Sequence, residues 1–192
     1  MTPLAELGDD VLAARAACGD APAFAALVTR HKAPLYGYVR RYVGNADDAY
    51  DLLQQTFLSA WLALDRYDVE RSLVGWLRAI ARNKCRDLAR KAKVMRLLMI
   101  ADGSAAASRV ADDRANAEER WIEEEGLRAI DAAIATLPRA LKDPLLLTAF
   151  EGLGQIAAGH ELGITAKAVE TRVARARQKL ARALNPSDGE TA

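Results

Sequence analysis

The chain has 192 residues, of which 51% are hydrophobic and 28% charged, with a formal net charge of +1. That apolar share can bury a core, and sparse glycine and proline without β-branched alternation point to an all-α protein of one domain or two small ones. Two cysteines, Cys18 and Cys85, with no CxxC spacing and no histidine cluster argue against a metal site or a disulfide framework. The N-terminus lacks a basic start followed by an apolar run, so no signal peptide is expected. The apolar stretches fall well short of the roughly 18 residues of a membrane span. A cytoplasmic location without membrane insertion is therefore expected.

Asp20-Ala21-Pro22 reads as a helix start, with an aspartate cap and a proline just inside. Phe24, Leu27, Val28, Leu35, Tyr38, Val39 and Tyr42 then recur at helical spacing until Gly44-Asn45 breaks the pattern. A second helix begins near Ala46 and carries Leu52, Leu53, Phe57, Ala60, Trp61 and Leu64. Arg66 to Ser72 reads as a polar loop, and the helix after it, through Trp76, is expected to end near Lys93. The run of small residues Asp102-Gly103-Ser104-Ala105-Ala106-Ala107-Ser108 suggests a tether, and Asp112 to Glu125 is acidic and in part helical. A second helical block spans Trp121 to Leu184, divided at Leu137-Pro138. The expected plan is two small helical domains, 1–93 and 122–186, with a flexible linker at 94–121 and a tail at 187–192.

Charge is segregated. Acids gather at Asp47, Asp48 and Asp51 and again between Asp112 and Glu125, whereas bases gather on two helices. Such patches suit different partners, and two separate cationic helices suit one extended anion held at two places. In the C-terminal block, Gln155 to Glu161 forms a short helix, Leu162-Gly163-Ile164 a tight turn, and Thr165 caps a longer helix. This is the layout of a helix-turn-helix whose second helix enters the major groove. At ~100° per residue, Val169, Val173, Ala176 and Leu180 fall on one stripe. Lys167, Thr171, Ala174, Arg175 and Gln178 fall opposite, with Arg172 and Arg177 on the flanks. A solvated helix of a bundle is the bland alternative.

In the N-terminal block, Arg78, Arg82, Arg86 and Arg90 recur at i, i+4 and read as one slowly drifting row facing away from Leu77, Ile80, Ala81 and Leu88. Stacked guanidinium groups repel one another unless an anion relieves them, and a nucleic-acid backbone would do so. Asn83, at the edge of that row, carries a carboxamide able to pair with a base edge. Trp61 and Trp76 could stack on unpaired bases, but their apolar faces favour the core. Asp48, Asp51 and Gln55 share one sector of the preceding helix, a surface that repels DNA and suits a protein; Asp47 and Asp48 also complement the helix dipole.

These segments, in this order, resemble the bacterial RNA polymerase sigma factors. Asp48 to Trp61 is similar to their core-polymerase-binding helix, Trp76 to Asn83 to the helix that meets the −10 promoter element, and Glu151 to Arg177 to the −35-binding helix-turn-helix. Two domains on a short connection resemble the extracytoplasmic-function (ECF) subfamily. The resemblance implies that Asp48, Asp51, Gln54, Gln55 and Phe57 dock on the β′ clamp helices of core RNA polymerase. It implies that the Arg66–Ser72 loop, with Arg66, Asp68 and Arg71, and Asn83 form a pocket for a base flipped from the −10 element, an extrusion that costs a few kcal/mol. Arg78, Arg82 and Arg86 would hold neighbouring phosphates. Lys167, Glu170, Thr171, Arg172 and Arg175 would read the −35 element, and the β flap would be a further contact on core polymerase. Tyr50 and Gln55 stand where the family usually carries acids, and Gly154 to Gly159 is richer in glycine and alanine than usual.

The resemblance implies a promoter-recognition subunit without catalysis, metal or cofactor, whose partners are core polymerase, promoter DNA and an anti-sigma factor. A stand-alone helix-turn-helix regulator would explain the C-terminal half but leave the Asp48–Trp61 helix unused. With His31 and His160 the only histidines, no Gly-rich phosphate loop and no paired nucleophile and base, an enzyme is disfavoured.

Overall fold

The structure is a computed structural model, and it describes residues 3–68, 71–101 and 128–185. The expected tether, the acidic run and the tail lie outside the described residues. Among the described residues every regular element is helical. They fall into two compact units, the first made of residues up to Val39 and from Asp47 to Ala101, the second of Arg40–Ala46 and of residues 128–185.

The first unit opens with a short 3-10 turn, Leu4–Glu6, and helix α1, Asp9–Ala17. Spacing alone predicts no helix there, because α1 is short and alanine-rich and so carries little periodic signal. Leu12, Ala13 and Ala16 are nonetheless buried, and tertiary packing holds the helix in place of propensity. Helix α2, Ala21–Val43, starts as expected: the Asp20 carboxylate accepts from the backbone N–H of Ala23 at 3.0 Å. That bond, followed by the Arg15 guanidinium, holds the Asp20 carboxyl below its usual range. The cap therefore persists above the ordinary carboxylate range and is lost only as the pH falls through that lowered value. Gly44, at φ +78°, ends the helix in a conformation that favours glycine.

Helix α3, Ala46–Ala63, buries Ala49, Leu52, Leu53, Thr56, Phe57 and Ala60. The buried Thr56 hydroxyl donates to the Leu52 carbonyl at 2.6 Å, so its polarity is satisfied inside its own helix. A 3-10 turn, Leu64–Arg66, leads into the loop, and helix α4, Leu73–Ala101, follows. It runs eight residues past the expected end at Lys93, since Val94 to Ile100 contains neither glycine nor proline and continues the helix without interruption.

In the second unit, helix α5 includes residues 128–136 and stops before Leu137-Pro138. Pro138 precedes α6, Arg139–Leu145, which continues through a π-helical turn at Leu146–Phe150. Lys142 is buried, and its ammonium donates to the carbonyls of Tyr42 at 2.9 Å and Ala135 at 2.7 Å. Helices α7, Gln155–Leu162, and α8, Ala166–Leu184, complete the unit. Gly163 adopts φ +67°, the left-handed cap expected of it, and Thr165 Oγ1 accepts from Ala168 N at 3.1 Å.

The glycine in the middle of α7 has a steric purpose. A Cβ at Gly159 would come within 2.6 Å of the Ile164 carbonyl oxygen, and that backbone atom cannot swing aside. Gly159 thus lets the turn lie directly on α7, which sets the direction in which α8 leaves. Gly159→Val should destabilise the second unit by about 1–3 kcal/mol, the usual cost of overpacking. Chemical denaturation followed by circular dichroism would measure this, and unchanged stability would contradict the close approach.

Candidate nucleic-acid interface

The outer surface of α8 follows from its buried stripe. Val169, Val173 and Ala176 are buried and Leu180 is half-buried. Lys167, Glu170, Thr171, Ala174, Arg175 and Gln178 are exposed on the other side, while Arg172 is half-buried at the flank. All five −35 candidates therefore lie on one helix, four of them on its open face. Lys167 Nζ pairs with Glu170 at 2.9 Å, but the side chains are 80% and 50% exposed. An ion pair so open contributes about 0–1 kcal/mol, so an incoming phosphate can replace it at little cost. The Thr171 hydroxyl donates to the Lys167 carbonyl at 2.9 Å, so its polarity is satisfied within the helix.

The arginine row of α4 does not survive as a single solvated face. Arg78 and Arg82 are only 7% and 6% exposed and engage neighbours within the fold. Arg86 is half-buried and Arg90 exposed, where it pairs with Asp87 at 2.9 Å. The reason is geometric. Each step of four residues advances by about 40° around a helix, so the row turns through about 120° between its ends. It begins beside the buried Leu77, Ala81 and Cys85 and reaches open solvent only at Arg90. Direct phosphate contact by Arg78 and Arg82, as the resemblance implied, conflicts with this burial. Asn83 does face outward, and its side-chain oxygen accepts from Arg86 at 3.3 Å, a long bond that links the carboxamide to a partly exposed cation.

The loop before α4 is braced in a way that spacing alone did not reveal. The Tyr67 ring packs against Trp76, with centroids 5.0 Å apart, and its hydroxyl donates to the Arg71 carbonyl. Burial raises the Tyr67 pKa, and the carboxylates of Asp9, Asp68 and Asp10 raise it further, so the hydroxyl keeps the proton it donates. Arg71 pairs with Asp68 at 3.3 Å. Arg66, Asp68 and Arg71 are exposed around this brace. The signal in the sequence is an aromatic inside the polar loop and another in the helix just after it, and Trp76 spends its ring on Tyr67.

On α3, Asp48, Asp51, Gln54 and Gln55 are exposed, with Tyr50, Leu58 and Leu62 beside them. Phe57 is different. It is 8% exposed and meets Phe24 edge to face at 6.5 Å, so it supports that exposed face from beneath and cannot lie upon it. Phe24 also packs on Trp61 at 4.9 Å, which commits that tryptophan to packing within the unit. Among the described residues no group of His, Cys, Asp or Glu could hold a metal ion, and no helix is long and apolar enough to cross a membrane.

Comparison with known proteins shows the family. The family model for Sigma-70 region 2 matches residues 27–94, and that for Sigma-70, region 4 matches residues 127–180. The chain belongs to the ECF RNA polymerase sigma factors. It is 37% identical to RNA polymerase sigma factor CnrH of Cupriavidus metallidurans, over 96% of this chain and 98% of that one. It is 30% identical to ECF RNA polymerase sigma factor SigW of Bacillus subtilis, over 86% of this chain and 91% of the other. A solved structure of CnrH in complex with the cytosolic domain of CnrY matches with a TM-score of 0.68 and 32% identity, covering 94% of this chain and 99% of that chain. This sigma factor is thus a transcription initiation factor, and its family is not an enzyme family. The stand-alone regulator falls away, because region 2 accounts for the half of the chain which that alternative left unused.

The burial pattern separates two neighbours on α3. Phe57→Ala should cost the first unit about 3–5 kcal/mol, as loss of a core aromatic does. Asp51→Lys should stay within about 0.5 kcal/mol of the parent, as exposed substitutions do. Thermal or urea denaturation of both variants is the check, and equal losses would contradict the assignment of Phe57 to the core.

Proposed function

We propose that this sigma factor divides promoter recognition among three faces. The exposed α3 side chains Asp48, Asp51, Gln54 and Gln55 dock on the β′ clamp helices of core polymerase, with Phe57 holding their helix in place. Asn83 and Arg86, with Arg66, Asp68 and Arg71 around the Tyr67–Trp76 brace, take a base of the opened −10 element and the phosphates beside it. Lys167, Glu170, Thr171, Arg172 and Arg175 read the −35 element from the major groove, while the same domain meets the β flap. In this reading residues 1–93 and 122–186 act as the two working domains, and 94–121 connects them through the polymerase.

One observation carries the reading: the open face of α8 is lined with donors over a buried Val169–Val173–Ala176 stripe, behind a glycine turn that fixes its exit. Phosphate contacts position such a helix and base contacts give it selectivity. Release of counterions makes binding salt-dependent. The protein carries out no reaction of its own and works in the cytoplasm. An anti-sigma factor holds it inactive until a signal arrives; the relative CnrH, solved with the cytosolic domain of CnrY, supports this.

The test is transcription in a purified system. This chain added to sigma-free core polymerase should direct run-off transcripts from a subset of a promoter pool, while the chain alone should bind the same DNA poorly in a gel shift. Tight binding without polymerase, with no transcripts, would overturn the proposal. Arg175→Ala should weaken promoter binding by about 1–3 kcal/mol, and its effect should vanish on templates with a scrambled −35 element. Equal loss with and without that element would count against the assignment to α8. Asp51→Lys should reduce capture of core polymerase in a pull-down, and undiminished capture would remove α3 from the docking role.

A further inference from the structure

The segment before α2 lies upstream of the stretch matched by the region 2 model, yet it is fastened to that region by a compact polar node. Both oxygens of the Asp9 carboxylate are used. Oδ1 accepts from Arg30 at 2.6 Å, and Oδ2 lies 2.8 Å from His31 Nε2. A carboxylate only accepts, so that nitrogen carries the proton. The second terminal nitrogen of Arg30 donates to the carbonyls of Ala5 and Leu7, each at 2.9 Å. One guanidinium thus grips the 3-10 turn, its exit and the first residue of α1 together. The node is sheltered: the side chains of His31, Asp9 and Arg30 are 10%, 29% and 32% exposed.

What the node holds is the point. Helix α1 packs against the Leu64–Arg66 turn, which leads directly into the loop that carries Tyr67, Asp68 and Arg71. The charges of Asp9 and Asp10 also help to raise the Tyr67 pKa, in keeping with that contact. A turn pressed by a fixed helix cannot shift without moving Tyr67, and Tyr67 holds the Arg71 backbone. We propose that Asp9, acting through Arg30 and His31, is a positioning residue that sets the loop bearing Arg66, Asp68 and Arg71 and thereby tunes base selectivity at the −10 element. This rests on the reading that the loop and Asn83 take a −10 base. Asp9 itself touches no DNA in this scheme.

The test uses the full chain assembled with core polymerase, on a promoter and a set of single-base variants of its −10 and −35 elements. Asp9→Ala should lower discrimination among −10 variants by roughly three- to tenfold, the size of coupling carried by a shared network. Discrimination among −35 variants and capture of core polymerase should stay as in the parent. Asp9→Glu, which keeps both acceptors, should restore most of the −10 selectivity. A 2-aminopurine probe at the flipped position should report a less ordered base in the Asp9→Ala complex. Unchanged −10 discrimination in Asp9→Ala, beside a clear loss in Asn83→Ala, would overturn the proposal while the function stands. Equal loss at −10 and −35 would also overturn it, since that is general destabilisation. If Asn83→Ala has no effect at −10, the reading beneath fails and this proposal fails with it.

Discussion

Burial of an apolar stripe decides what each helix of this protein can offer a partner. A helix of a small domain must turn one side inward, and only the remainder is available for recognition. On α8 the stripe Val169, Val173 and Ala176 leaves Lys167, Thr171 and Arg175 outward. On α3 the stripe Leu52, Leu53, Thr56, Phe57 and Ala60 leaves Asp48, Asp51, Gln54 and Gln55 outward. On α4 the stripe Leu77, Ala81 and Cys85 takes Arg78 and Arg82 with it and leaves Asn83, Asp87 and Arg90 in solvent. Opposite charge on two exposed faces then follows from composition: the acidic face of α3 repels DNA, and the basic face of α8 attracts it.

Stiffness is supplied where recognition demands it. The α7–α8 turn relies on the absence of a side chain at Gly159, so its geometry is fixed by backbone contact. The loop before α4 relies on the Tyr67–Trp76 contact and the hydrogen bond to the Arg71 carbonyl. In both cases the rigid part is uncharged or internally satisfied, and the charged groups project from it. That division keeps the desolvation cost of binding low, because the charged groups free to meet a partner start out in water. The Lys167–Glu170 pair illustrates the same economy, being too exposed to resist exchange for a nucleic-acid partner.

Much of this was legible from the residues. Asp20, Gly44, Pro138, Gly163 and Thr165 each act locally, through a cap, a positive φ or a missing N–H, and each stands where the sequence put it. The α8 stripe was legible because valine and leucine are unambiguous on a wheel. The orientation of the arginine row is not legible, because i, i+4 spacing reports a row without its direction and long side chains can lie along a core boundary. Helix α1 is not legible because alanine gives little contrast between faces. The Asp9 node was invisible for another reason: its members are more than twenty residues apart, and nothing in local pattern joins them.

The central claim is that the faces left open by these buried stripes are the working faces. Photo-crosslinking in the assembled polymerase–promoter complex tests it most directly, with a short-range crosslinker placed singly at positions 51, 83 and 175 of the otherwise intact chain. The account expects position 51 to join the polymerase, position 83 the non-template strand of the −10 element, and position 175 the −35 element. Attachment of position 51 to DNA, or of position 175 to no DNA at all, would contradict it.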